Sequence, residues 1–143
     1  MNQKKLFEIA SHFALEGEIA SIEALGEGFI NDTYIVTTDK ERYILQRKNH
    51  NIFPDVAAMM DNIARVPAHL KRKVEAAGGD PMREVLTVTH TSDGKPYYQT
   101  ESGDFWTMCP FIAGSVTYER ADTPALAYKG GEGIGKFQSQ LSD

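Results

Sequence analysis

A glycine-bearing turn between two strand patterns is the first segment whose residue types suit chemistry. Gly26 and Gly28 break the apolar pattern, and the polar string Asn31, Asp32 and Thr33 follows closely. Phosphate binding needs a close approach of the backbone and several N–H donors, which glycines in a turn supply. An ordinary hairpin turn is the alternative, because two glycines between strands are common. The turn is neither a dinucleotide fingerprint nor a P-loop, since neither a helix nor a Gly-Lys-Ser/Thr string follows it.

A cation ends the next strand pattern, which reads Tyr43-Ile44-Leu45-Gln46-Arg47. Side chains alternate along a strand, so Tyr43, Leu45 and Arg47 share one face while Ile44 and Gln46 share the other. An arginine in this place is either solvated at the rim of the sheet or reaches phosphates held under the glycine turn.

A third candidate is the apolar strand that runs through Cys109 into Pro110, Phe111 and Ile112. Proline has no N–H to donate, but its carbonyl can accept a hydrogen bond from an adenine amino group. The N–H of Ile112 would then serve a ring nitrogen of the base. A buried strand with a bend is the alternative interpretation.

The elements around these candidates are predicted from apolar periodicity and turn residues. An amphipathic helix is expected over Lys4–Leu15, and a long helix runs from Pro54 to Gly78-Gly79, with Pro67 either kinking it or starting a new one. A last helix is expected over Ala125–Leu141. Strands are predicted at Ile19–Leu25, Ile30–Thr38, Arg42–Arg47, Glu84–Thr91, Tyr97–Thr100 and Asp104–Phe111. This grouping indicates an α+β fold with a largely antiparallel sheet.

Composition narrows the class of protein. The chain has 143 residues, 41% of them hydrophobic, and a formal charge of -5, which is typical of one globular domain and argues against nucleic acid as a partner. One cysteine, Cys109, excludes an internal disulfide and fits a reducing, cytoplasmic setting. No signal peptide or membrane span is expected.

Three strings carry a resemblance to a known family: GEGFINDTYIV, YILQRKN and FPDVAAMMDNIARVPAHL. They resemble the aminoglycoside phosphotransferase superfamily, which is protein-kinase-like, and within it the N-acetylhexosamine 1-kinase group. The resemblance extends from Ile22 onward. It implies a kinase-like N-terminal lobe, with a twisted antiparallel sheet, one long helix packed across it and flanking helices.

The resemblance also implies roles for individual residues. The turn residues Gly26, Gly28, Asn31, Asp32 and Thr33 would cover the ATP phosphates. Arg47 would take the place of the phosphate-pairing lysine, with Gln46 as the alternative register. An acid on the long helix orients that cation in kinases; Asp61 is the candidate, with Asp55 and Glu75 as alternatives. The hinge that receives adenine would be Pro110, Phe111 and Ile112.

The chain departs from the family pattern in one respect. Kinases of this kind carry the catalytic base in an HxD-type loop and the Mg²⁺ ligands in a later acidic motif, and neither occurs in residues 1–143. We therefore expect a nucleotide-binding lobe over 1–112, and over 113–143 the hinge exit and first helix of a further lobe. The parent would transfer phosphate from ATP to a small sugar, while this chain alone would be inactive. The alternative is a non-catalytic module that binds nucleotide or dimerises through its last helix.

Overall fold

The computed structural model of the chain describes residues 1–26 and 30–143. They form two compact units. The first unit comprises Met1–Ala68 and Leu86–Phe111, and the second comprises His69–Val85 and Ile112–Asp143.

The first unit contains a five-stranded antiparallel sheet in the order β1-β2-β3-β5-β4. Its strands are β1 (Ile19–Ala24), β2 (Asp32–Thr38), β3 (Arg42–Lys48), β4 (Tyr98–Gln99) and β5 (Phe105–Pro110). The second and third predicted strands form a hairpin, with Asp32 opposite Arg47 and Thr37 opposite Arg42. The α+β class with an antiparallel sheet is confirmed.

The helix α1 (Gln3–Ser11) contributes its buried side chains to the core of the first unit. The Asn2 side chain caps it by accepting the Lys4 N–H at 2.8 Å. Its apolar stripe is buried with side chains from four strands in one cluster that includes Leu6, Ile9, Ile22, Val36, Leu45, Trp106 and Met108. The helix ends before the predicted Leu15, because the Ala14 N–H donates to the His90 carbonyl instead of continuing the helical ladder.

The long helix α2 (Val56–Ala76) continues across Pro67, so a new helix starting at that proline is wrong. Buried residues lie on both sides of the proline, Met60 before it and Leu70 after it, and such burial outweighs the loss of one backbone hydrogen bond. The helix ends as predicted at the glycines. Gly78 has φ +78, its N–H donates to the Glu75 carbonyl, and the Gly79 N–H donates to the Val74 carbonyl.

The predicted strand at Glu84–Thr91 is wrong. The short helix α3 (Pro81–Glu84) occupies its start, because Asp80 caps the Met82 N–H and Pro81 suits the first helical position. Beyond it, only single bridges form, from Thr89 to Met108 and from Thr91 to Phe13.

The helix α4 (Pro124–Gln140) lies in the second unit and matches the last predicted helix within one residue at each end. Its four glycines, Gly130, Gly131, Gly133 and Gly135, stand inside the helix. None of its residues is buried. Among the described residues, no helix is both long and apolar enough to span a membrane.

Candidate functional site

The polar string after the glycine turn bonds residue by residue to β3. The Asn31 side-chain oxygen accepts the Asn49 N–H at 2.9 Å. Asp32 forms an ion pair with Arg47, and the Gln46 amide donates to the Thr33 hydroxyl at 3.0 Å. The structure thus brings four of the predicted site residues together, and three of them fasten the base of the turn to the neighbouring strand.

The turn itself opens at Gly26, directly after β1. Gly26 has φ +64, a conformation that L side chains rarely adopt, so glycine is required there. Just before it, the Leu25 N–H donates to the Thr33 carbonyl at 2.9 Å and closes the hairpin ladder. Gly28, the other predicted glycine, lies outside the described residues.

The two faces of β3 differ in what surrounds their cations. Tyr43 and Leu45 are buried in the cluster with α1, and Arg47 shares their side of the strand, which we call the α1 face. Gln46 and Lys48 point to the other side, the opposite face. Arg47, the predicted phosphate-pairing cation, therefore lies on the α1 face, where the Asp32 carboxylate neutralises it.

Lys48 is the cation that sequence reasoning missed. The predicted strand stopped at Arg47, but β3 extends one residue further and pairs Lys48 with Phe105. The ammonium of Lys48 donates to the side-chain oxygen of Gln46. Burial lowers the pKa of Lys48 from its ordinary value, and interaction with Cys109 offsets part of that shift. Side chains alternate along a strand, so extending the predicted strand by one residue would have placed Lys48 on the same face as Gln46.

The opposite face continues onto β5 with Thr107 and Cys109. The Thr107 hydroxyl donates to the Gln46 carbonyl at 3.5 Å. Burial raises the pKa of the Cys109 thiol, and the charge of Lys48 partly offsets this. The face therefore combines a half-buried ammonium, an amide and two hydroxyls in a partly desolvated setting.

A cavity of about 320 Å³ lies at the end of β3, beside the base of the turn. Its lining is polar and includes Asp32, Arg47, Lys48, Asn49 and Asp104. The cavity is large enough for a small polar group such as a phosphate chain.

The predicted adenine hinge lies at the other end of the same strand. Pro110 stands opposite Tyr43, five residues and about 17 Å along the strand from Lys48. The Phe111 N–H donates to the Arg42 carbonyl at 2.9 Å, and the Arg42 guanidinium lies 4.3 Å from the Phe111 ring centre. Pro110 and Phe111 belong to the first unit, whereas Ile112 belongs to the second and is exposed.

The structure does not bring Asp61 to Arg47. Asp61 is exposed on α2, and its carboxylate lies 3.6 Å from Arg65, one turn further along the helix. Of the alternatives, Asp55 accepts the Ala58 N–H at the start of α2, and Glu75 is exposed in the second unit. In residues 1–26 and 30–143, no group of three or more His, Cys, Asp or Glu side chains could hold a metal ion.

Comparisons with known proteins give a family and a fold for the chain. A family profile described as the phosphotransferase enzyme family matches residues 21–143. Among solved structures, the chain is similar to spectinomycin phosphotransferase in complex with ADP and spectinomycin, with a TM-score of 0.53 and 16% identity. The similarity covers 86% of this chain and 33% of that one, so the chain spans about a third of that protein. It shows a kinase-like N-terminal lobe fold.

Proposed function

Because the chain belongs to the phosphotransferase enzyme family, we propose that it forms the nucleotide-binding part of an ATP-dependent kinase for a small molecule. One observation carries the proposal. The Lys48 ammonium is half-buried on the opposite face of the sheet, beside the base of the glycine turn, which is fastened to β3. A desolvated cation next to a turn that can donate backbone N–H groups is a setting in which phosphate oxygens bind.

In this arrangement a nucleotide lies along β3. The adenine contacts the backbone of Pro110, Phe111 and Ile112, with the Pro110 carbonyl as acceptor and the Ile112 N–H as donor. The N–H of Phe111 is already bonded to Arg42, which leaves those two neighbours for the base. The phosphates lie at the far end, near Lys48 and the turn at Gly26–Thr33. The chain's part in transfer is to position the nucleotide and offset its charge.

Magnesium accompanies ATP in such kinases, but the described residues offer no cluster of ligands for it. We therefore assign none of them to the metal. Residues 1–112 are proposed to bind the nucleotide, and residues 113–143 to lead toward a further lobe. For residues 1–143 alone we expect no sugar-dependent ATP turnover, and turnover in a coupled assay would contradict this.

The proposed phosphate acceptor is an N-acetylhexosamine, because the three sequence strings resemble those of N-acetylhexosamine 1-kinases. Spectinomycin phosphotransferase, which has a similar fold, is named for spectinomycin instead. A substrate panel of N-acetylhexosamines and spectinomycin, tested on the natural gene product, separates the two classes. A cytoplasmic location is part of the same proposal.

The proposal is tested by calorimetric titration of the chain with MgATP, comparing two neighbouring cations on opposite faces. Lys48→Met is expected to lower the affinity about tenfold or more, because a charged hydrogen bond to phosphate is lost. The matched control removes the neutralised pair on the α1 face: Arg47→Met combined with Asp32→Asn leaves the net charge unchanged and should change the affinity less than about threefold. The opposite order of effects would restore Arg47 as the phosphate-pairing cation. Absence of MgATP binding by the unaltered chain would overturn the proposal.

Self-association is a second candidate, favoured by α4. The apolar side chains of Ile134, Phe137 and Leu141 follow one another at three and four residues, so they share one face of this helix, and all three are exposed. We propose that two copies pair through them and bury these side chains from water. Sedimentation should then show a dimer that Phe137→Ser converts to monomer, and a monomer at high concentration would contradict it.

A further inference from the structure

The two adjacent cations of β3 have partners of different charge. Arg47 faces a carboxylate, that of Asp32, which cancels its charge. Lys48 faces the amide of Gln46, which accepts a hydrogen bond but carries no charge. Both pairs are made within the sheet. The Lys48–Gln46 pair carries a net positive charge beside the cavity at the end of β3, whose lining also includes the Asp104 carboxylate.

The orientation of the Gln46 amide is determined at both ends. Its oxygen accepts from Lys48, and its nitrogen donates to the Thr33 hydroxyl at 3.0 Å. A flipped amide would direct NH₂ at the ammonium, so two donors would face each other and the bond to Lys48 would be lost. In the register of the sheet, Gln46 stands between Thr33 on β2 and Thr107 on β5. A chain of hydrogen bonds therefore runs from β2 through Gln46 to Lys48.

We propose that Gln46 is the positioning residue for the Lys48 ammonium, held by Thr33, so that the cation is oriented without being neutralised. This rests on the proposed function, in which an anionic polyphosphate approaches this face. In the usual kinase arrangement a helix carboxylate orients the cation. Here the helix candidate Asp61 is paired with Arg65, and a strand amide takes over the orienting role.

The proposal depends most directly on the absence of charge on Gln46, the partner of Lys48. A neutral partner lets the full positive charge act on phosphate oxygens, whereas a carboxylate would form a competing ion pair. Gln46→Glu is therefore expected to lower MgATP affinity about tenfold while leaving adenosine affinity within about twofold. Gln46→Leu removes the hydrogen bond and should lower MgATP affinity by several-fold, again without changing adenosine binding.

The Thr33 hydroxyl, which holds the Gln46 amide, allows a rescue experiment. Thr33→Val removes the hydroxyl that holds the amide and should lower MgATP affinity, whereas Thr33→Ser keeps the hydroxyl and should restore it. Equal losses for MgATP and adenosine in these variants would indicate a general structural role and overturn the proposal. Unchanged or higher MgATP affinity in Gln46→Glu would overturn it as well.

A second readout does not require a nucleotide. The titration of Lys48 can be followed by NMR of its side-chain carbon next to the nitrogen. We expect Gln46→Glu to raise the pKa of Lys48 and Gln46→Leu to lower it further, since the first adds a negative charge and the second removes an acceptor. The other charged or ionisable groups near Lys48 stay the same in both variants; they are Cys109 on β5 and, around the cavity, Asp32, Arg47, His50 and Asp104.

The two readouts separate the two proposals. Shifted titration without any MgATP binding would mean that the positioning holds and the proposed function fails. A Lys48 pKa that neither variant changes would mean that Gln46 does not position the ammonium, whatever the chain binds.

Discussion

The two faces of β3 are built for different tasks. On the α1 face, Leu45 has no exposed surface and packs in an apolar cluster, and the one charge at its end is cancelled within the sheet. On the opposite face, Thr33, Gln46 and Lys48 are half-buried, polar or charged, and bonded to one another. The first face therefore supplies stability, while the second keeps a desolvated charge that a ligand can use.

The largest expected effect compares two apolar residues of one strand. Leu45→Ala on the α1 face should lower the free energy of unfolding by about 2–5 kcal/mol, because it leaves a cavity in a closed core. Ile44→Ala on the opposite face removes a half-buried side chain and should cost about 1 kcal/mol. Urea unfolding measures both values. Equal losses of unfolding free energy would contradict this difference between the two faces, since the opposite face would then be packed as tightly as the core.

A smaller effect concerns the thiol on the opposite face. Because burial raises the pKa of Cys109, less of it is thiolate at pH 8 than of free cysteine, and iodoacetamide should react about tenfold more slowly. The rate should climb as the pH rises through the raised pKa. Lys48→Met should slow the reaction further, because the lysine's charge lowers the pKa of the thiol. A rate equal to that of free cysteine would show that this face is open to water.

The smallest effect is expected at the ion pair on the α1 face. Asp32→Asn should change the free energy of unfolding by less than about 1 kcal/mol, since both partners are partly exposed. It should also free the charge of Arg47, which lines the cavity, and so raise MgATP affinity by less than about threefold. A large loss of affinity would mean that Asp32 contributes to the nucleotide site directly, as the sequence resemblance implies.

The hairpins and the α+β class could be predicted from sequence because their signals are local. Alternating apolar residues and the polar turn at Asp39-Lys40 determine the pairing of β2 with β3. The segment Glu84–Thr91 was mistaken for a strand, because its β-branched residues outweighed the Asp80-Pro81 helix start. Pattern alone could not show that only single bridges form there.

The candidate site was predicted in part. The string Asn31–Thr33 does meet β3, but the cation on the opposite face was missed because the strand end was set one residue short. In a strand of period two, one residue decides the face. Arg47 is paired across two strands with Asp32, a contact that the family resemblance, which implies a helix acid such as Asp61, does not reveal.

The buried indole on β5 has a practical consequence. Trp106 is the chain's one tryptophan, it is fully buried in the α1 cluster, and its Nε1 has no hydrogen-bond partner within the described residues. Its emission should therefore be blue-shifted in the native state and move to the red when the first unit unfolds. Since the indole lies on the other side of the sheet from Lys48, a ligand there should scarcely alter the spectrum. Intrinsic fluorescence thus reports folding separately from occupancy, and the chain carries its own optical probe for telling a destabilised variant from one that has lost only its ligand.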